Sequence, residues 1–257
     1  DYFQFVPSNP WIAVGWRDRG DICFEIKPYL ERKGINFIAK RCNRIDPENN
    51  TLHLDGGETV SYDYLVITTG PRLAFEEVEG SGPDAGGTHS ICTVDHAEKT
   101  YADYQKLLEK GSGHIVIGAM PFASCFGPAY EYAFILDTDL RKRKVRDKYK
   151  MTLVTAEPYI GHLGLGGVGD SKGMLESELR NHHINWVTNA RTTSVEPGKL
   201  HVEQLNEDGE VARTHDIEFD LGMMLPAFKG VDAVKDVEGL CNPRGFVMVD
   251  DYQRNPK

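Results

Sequence analysis

The stretch from His114 to Thr155 constrains this chain more than any other. An apolar strand, His114 to Gly118 (HIVIG), is followed by a helical pattern over 128–144 and a second apolar strand over 151–155 (MTLVT). Parallel strands need a crossover between them, usually a helix, and they lie buried on both faces. An α/β fold is therefore expected, with helices covering parallel strands. The loop between the first strand and the helix, GAMPFASCFG, occupies the place where dinucleotide-binding folds cradle a phosphate. A GxGxxG fingerprint starting at Gly118 needs glycine at 120 and 123, where this chain has Met120 and Ala123. The second glycine of that fingerprint lets the pyrophosphate approach the backbone, so a methionine side chain there is expected to obstruct it. The crevice is then left to Cys125. A thiol just ahead of a helix faces unpaired N–H groups and the positive end of the dipole, which favours the thiolate.

The remaining pattern extends the same architecture. Residues 20–34 read as a helix stopped at Gly34, while Ile35–Ala39 and Leu52–Leu54 alternate like strands, with Asp55-Gly56-Gly57 turning between hairpin arms. The run YDYLVITTG (62–70) has the continuous apolar character of a buried parallel strand whose carboxyl end, at Thr69 and Gly70, faces a ligand. Helices are expected over 94–110 and 171–183, and strands over 184–187 and in LGMML before Pro226. Residues 199–219 suit an antiparallel excursion turning at Asn206-Glu207-Asp208-Gly209. Two interleaved Rossmann-like domains follow, 1–90 and 91–218, with 219–257 returning to the first.

Charge and cysteine usage exclude several functions. The 29 basic against 39 acidic residues give a net charge of −10, which argues against nucleic acid as partner. Five cysteines at wide spacings include no CxxC and no zinc array, so no metal site is expected, and redox or nucleophilic chemistry by one pair is the sharper option. No leader, initiator Met or bilayer-spanning apolar run is present, and both ends read as cut. The run Arg141-Lys142-Arg143-Lys144 reads most simply as a solvated helix end. Besides Cys125, the candidate reactive residues are Cys92 in SICTVDH, His96 four residues beyond it, and His162 in the Gly-rich EPYIGHLGLGGVGD (157–170). Glu157 stands where a ribose-binding acid ends a strand in true nucleotide folds, and Glu131 reads as structural. No Gly-Lys-Ser/Thr closes the Gly-rich loop as in a P-loop. MMLPAFKG (223–230) suits either a core strand or a cover for an aromatic ring system.

Taken together, DYFQFVPSNPW, YDYLVITTGP, SICTVDHAE, GAMPFASCFGPAYEYA, AEPYIGHLGLGGVGDSKG and MMLPAFKGVDAV…EGLCNPRGFV resemble the sulfide:quinone oxidoreductases, flavoproteins of the disulfide-reductase superfamily. The resemblance implies FAD as cofactor and sulfide oxidation to polysulfide or elemental sulfur, with electrons passed to a quinone (ubiquinone or menaquinone). By that resemblance Cys125 matches a redox-active cysteine, and Cys92 a second cysteine near the flavin. His96 and His162 match active-site histidines. Val6, Pro7, Ser8, Thr69 and Gly70 match flavin-contacting segments, so that 1–90 is part of an FAD-binding domain. Cys241 is expected to be structural. The resemblance further implies a peripheral, monotopic protein of a prokaryotic inner membrane, bound through segments outside this chain, with homo-oligomerisation left open. An NADH-oxidising or other disulfide-reductase relative, and a non-catalytic fragment, are the competing expectations.

Overall fold

The computed structural model describes residues 2–255. The chain divides into two compact units: Glu25–Ala74 with the described residues from Phe228 onward, and Tyr2–Phe24 with Phe75–Ala227. In the first unit, β1 (Cys42–Asp46), β2 (Thr51–Leu54) and β3 (Thr59–Ser61) form an antiparallel sheet, and the Asp55–Gly57 turn joins β2 to β3 as expected. Arg72–Leu73 pairs with Phe228–Lys229, and Ile45, Val234 and Leu240 make a small core. Cys241 packs against that core, its sulfur 3.4 Å from the Val234 carbonyl, which is a structural setting.

Three sequence expectations fail here, two of them for lack of a neighbouring strand. Ile35–Ala39 and residues 62–70 form no strand. Among the described residues no strand pairs with either, and Tyr64 and Val66 are 93% and 81% exposed. Apolar β-branched composition describes a residue's preference for a pleated surface, and without a neighbouring ladder that surface does not exist. The helix expected over 20–34 is two short ones, Arg19–Ile22 and Lys27–Glu31, separated by the strand Cys23–Glu25, which lies beside Tyr2–Gln4. Pro28 sits in the first turn of the second helix, since a proline starts a helix but disrupts its interior.

The second unit follows the sequence closely. Helix α1 (Val94–Lys110) precedes β4 (Gly113–Ala119), α2 (Gly127–Lys142), β5 (Tyr149–Thr155), α3 (Ser171–Asn181) and β6 (Ile184–Val187). An antiparallel sheet of β7 (Ala190–Glu196), β8 (Lys199–Leu205) and β9 (Val211–Glu218) comes next, and β10 (Leu221–Leu225) then closes a parallel sheet of order β10-β4-β5-β6. This is a mixed α/β fold with a parallel sheet. Alternation along β4 shows why it is buried on both faces. Ile115 and Ile117 join a core with Tyr104, Tyr132, Leu136 and Leu140 from α1 and α2, whereas Val116 joins Val154, Leu200 and Val202 toward the antiparallel layer.

The basic run at the end of α2 is not simply solvated. Asp137 and Asp139, 0% and 3% exposed, hold Arg141 at 2.7 Å and Arg143 at 2.6 Å, and Lys142 lies over the Trp16 ring at 3.8 Å. Asp137 also receives Arg146 and His182, the latter at 2.6 Å. Burial alone pushes the Asp137 carboxyl up, but the bonds from Arg141, His182 and Arg146 together hold it below the ordinary carboxylate range.

Candidate functional site

The loop after β4 departs from a nucleotide fingerprint differently than its sequence suggests. Met120 does not project into the crevice. It is 1% exposed and packs with Val116, Val154 and Met224, and its N–H extends the ladder to the Leu225 carbonyl at 2.8 Å. Alternation along β4 puts an even-numbered residue on that face, so the obstruction expected from its side chain is not what closes the loop. Gly118 is likewise needed for packing, because a Cβ there would meet the Val154 carbonyl oxygen at 1.7 Å. After Met120 the backbone turns through Phe122, at φ 61, and is anchored by buried Phe126 before α2 begins at Gly127.

Cys125 is exposed on this loop. Its thiol is raised by partial burial, not lowered as a helix-terminal position suggested. Phe126 is the N-cap residue and already in helical conformation, so Cys125 lies outside the first turn, and no hydrogen bond reaches its sulfur among the described residues.

Cys92 is held far more tightly. Residue 89 adds to the outer side of β10 through His89 N–H to the Gly222 carbonyl at 2.6 Å and Met224 N–H to the His89 carbonyl at 3.1 Å. The next two carbonyls are also taken: Ser90's accepts from the Thr100 hydroxyl at 2.9 Å and Ile91's from Asn9 Nδ2 at 2.9 Å. The Cys92 N–H itself donates to Ser90 Oγ at 3.1 Å, and Thr93 then caps α1 by accepting from the His96 N–H at 3.1 Å. Burial pushes the Cys92 thiol up to about 11, a hydrogen bond from Ser90 opposes that shift, and the charge of Cys125 adds to it. The structure thus brings the two expected cysteines within electrostatic range of each other.

Asn9 also ties in the first expected flavin-contacting segment. Val6–Ser8 is a single 3-10 turn leading into the short helix Asn9–Ile12, and Asn9, fully buried, accepts from Gln4 Nε2 at 2.9 Å while donating to Ile91. Phe5 and Val6, 51% and 50% exposed, present apolar surface beside that tie. His96 packs edge-on against Phe75 with ring centroids 6.0 Å apart, and its Nδ1 is buried without a partner. Burial lowers its pKa, with Lys99 adding to the shift. An unpartnered buried nitrogen and exposed apolar side chains, both linked to the Cys92 segment, fit a planar group with polar ring atoms such as a flavin. Thr69 and Gly70 are exposed and lie in the other unit.

His162 is fixed by a hub that the sequence reading mistook. Glu157 is 1% exposed, and neither oxygen is available to a ribose. One accepts from the Leu163 N–H at 2.6 Å, the other from Tyr130 Oη and Thr155 Oγ1, each at 2.8 Å. Tyr130 Oη in turn accepts from the Gly161 N–H at 3.1 Å. Glu157 therefore anchors the Gly-rich loop to α2. At Gly164, φ 74, a Cβ would stand 3.3 Å from the Phe126 ring, so this loop lies against the Cys125 loop. The His162 ring packs on Tyr159 and its Nδ1 accepts from the Gly164 N–H at 3.2 Å, leaving Nε2 for chemistry. Asn9, Ser90 and Tyr130 were missed from sequence. Their partners are backbone groups or buried acids, and only the strings PSNP and SIC hint at them.

Two clefts of about 860 and 990 Å³ open at the amino ends of β4 and β5, lined by residues such as His114, Lys150, Lys148 and Glu218. They are at the opposite end of the sheet from the cysteines, and ligands of α/β sheets bind at carboxyl ends. Among the described residues no group of three or more His, Cys, Asp or Glu could hold a metal ion, and no helix is long and apolar enough to cross a membrane.

Comparison with known proteins matches this geometry. The chain is similar to the sulfide-quinone reductase of Aquifex aeolicus (strain VF5), 39% identical over 257 residues, covering 99% of this chain and 57% of that protein. It is similar at 26% identity to the mitochondrial sulfide:quinone oxidoreductase of Mus musculus, over 84% of this chain and 47% of the mouse protein. It superimposes on the X-ray structure of the sulfide:quinone oxidoreductase from Aquifex aeolicus with a TM-score of 0.92, covering 99% of this chain and 58% of that one. The structure of NDH2 from Plasmodium falciparum in complex with NADH shares the fold alone, with a TM-score of 0.74 at 15% identity over 95% of this chain and 52% of that one. The chain thus spans little more than half the length of the Aquifex protein and somewhat less than half of the mouse protein. The model of the pyridine nucleotide-disulphide oxidoreductases matches residues 2–256, and the chain belongs to that family.

Proposed function

We propose that this chain forms the thiol-bearing part of a flavin-dependent sulfide:quinone oxidoreductase, with FAD as cofactor. In this reading residues 1–90 and 219–257 contribute to an FAD-binding domain, and 91–218 form the second Rossmann-like domain. The observation that carries it is the exposed Cys125 on a strand-to-helix loop without a nucleotide fingerprint, with the Cys92 thiol held in the segment that leads into α1. Val6, Pro7 and Ser8 would contact the flavin, which when bound supplies the two-electron acceptor, and Thr69 and Gly70 are a flavin-contacting segment of their own unit. HS⁻ adds to a sulfur bridging Cys125 to a second thiol. One S–S bond forms as another breaks, the sulfide sulfur is oxidised by two electrons, and the leaving thiolate carries the pair. Exposure of Cys125 admits the small anion, and its raised thiol makes a sulfur-bridged resting form more fitting than a free thiolate. His162 Nε2, on the loop beside Cys125, takes the proton released as HS⁻ becomes a bridging sulfur, and neutral His96 serves on the Cys92 side. Electrons leave to a membrane quinone, with the longer protein attached peripherally to the bilayer of a prokaryotic inner membrane.

Anaerobic mixing of the flavin-loaded, full-length protein with sulfide tests this reading. Flavin absorbance near 450 nm is expected to bleach with sulfide and not with NADH, and Cys125→Ser to lose the sulfide response by at least a hundredfold. Bleaching by NADH alone would instead support an NADH-oxidising relative.

A further inference from the structure

The segment that leads to Cys92 is held by three ties of different origin. His89 is locked onto β10 through its N–H and carbonyl, and the Ser90 carbonyl accepts from the Thr100 hydroxyl of α1 at 2.9 Å. The third comes from Asn9, whose Nδ2 donates to the Ile91 carbonyl at 2.9 Å across 82 residues of sequence. Of the three, this alone starts at the turn Val6–Ser8. Asn9 is 0% exposed and is seated on that turn by its own backbone and side chain. Its N–H donates to the Val6 carbonyl, its carbonyl accepts from the Ala13 N–H at 3.1 Å, and its Oδ1 accepts from Gln4 Nε2 at 2.9 Å. With the amide oxygen turned to Gln4, the NH2 group is left for Ile91. The Ile91 carbonyl and the Cys92 N–H belong to one planar peptide unit. Asn9 holds the oxygen end of that plane, and at the other end the Cys92 N–H donates to Ser90 Oγ at 3.1 Å. A plane pinned at both ends fixes where the Cys92 Cα stands, and hence the arc its sulfur can sweep.

We propose that Asn9 is a positioning residue that couples occupancy of the Val6–Ser8 turn to the setting of Cys92. This deepens the reading given above and rests on it for the flavin contact at Val6–Ser8. A planar group lying against the exposed Val6 side chain steadies the turn. Because the Asn9 backbone is bonded into that turn, the same contact steadies its amide and, through the amide, the peptide before Cys92. The ties from β10 and α1 start elsewhere, so they hold the segment alike whether the turn is filled or empty. One buried hydrogen bond, whose loss leaves a carbonyl unmet, is large enough to carry a coupling of about tenfold.

Hydrogen–deuterium exchange on the full-length protein, with FAD removed and restored, reads this coupling without any turnover. Restoring FAD is expected to slow exchange in peptides covering residues 4–8. In those covering 91–93 a slowing of about tenfold is expected, after correction for any change in β6. In Asn9→Ala the slowing at 4–8 is expected to persist, while that at 91–93 falls below about twofold. Thr100→Val cuts a tie to the same segment from α1. It is expected to lower the melting temperature and keep the tenfold response, so that loosening the segment is not by itself enough to abolish it. Gln4→Met frees the Asn9 amide to turn, is expected to reduce the response about threefold, and is the deciding variant if Asn9→Ala does not fold. Equal slowing at 91–93 in the wild type and the deciding variant overturns the coupling, as does a Thr100→Val loss as large as that of Asn9→Ala. Slowing at 4–8 with none at 91–93 in the wild type overturns the coupling and leaves the flavin contact standing. No slowing at 4–8 in the wild type overturns the flavin contact itself, and the coupling with it.

Discussion

Glu157 illustrates how a residue type can be right for one duty and committed to another. At the end of β5 a carboxylate can reach a ribose in nucleotide-binding folds, but here two oxygens serve Leu163, Tyr130 and Thr155 inside the protein. Glu157→Ala strands the Leu163 N–H and loosens Tyr130 and Gly161. A loss of about 2 kcal/mol is expected in urea unfolding, with faster protease cleavage within 163–169; Glu157→Gln, which keeps an acceptor, is expected to lose less. The same residues show what sequence could and could not supply at this scale. Cys125 and His162 stood out as candidates because thiols and imidazoles in turn-rich strings are chemically conspicuous, while Cys92 and His96 were picked out mainly by the family resemblance. Asn9 was not, because a hydrogen bond to a carbonyl 82 residues away leaves no local pattern.

At the scale of elements, periodicity succeeded wherever a strand found its ladder inside the same chain. The helix over 94–110 and the strand over 184–187 came out with their expected bounds, and β4 and β5 within two residues. It failed at 35–39 and 62–70, whose composition matches a buried strand but whose backbone joins no strand ladder among the described residues. The degenerate fingerprint lies between these cases. Its position was legible, yet the role of Met120 depended on which face of β4 it occupies, and that face only exists once β7–β9 cover it. Met120→Gly is accordingly expected to cost about 3 kcal/mol or more, from a cavity between two sheets, and to confer no NADH binding. Chemical denaturation and an NADH fluorescence titration check the two halves of that expectation.

Over the whole molecule, acid groups outnumber basic ones, yet the most deeply buried acid is heavily countered. Asp137 is held below the ordinary carboxylate range despite its burial, while the unfolded chain titrates near pH 4. A depressed folded pKa means the unfolded state takes up protons first, so this stabilisation is full above about pH 5 and is lost as pH falls through 4 and below. Urea unfolding across pH 3–7 is expected to show that decline, and Asp137→Asn, which removes the carboxylate charge facing Arg146, to cost about 3 kcal/mol at pH 7 and flatten the acid limb. The clamp around Cys92 also bears on biosynthesis. Its supports come from Asn9, well upstream of it, and from Gly222 and Met224, far downstream. During translation the cysteine emerges long before its sheet neighbour, so until β10 is made the thiol is reactive without being aimed. Oxidants met in that interval find a flexible nascent chain, and a cell that makes this protein gains from keeping the ribosome exit in reducing surroundings.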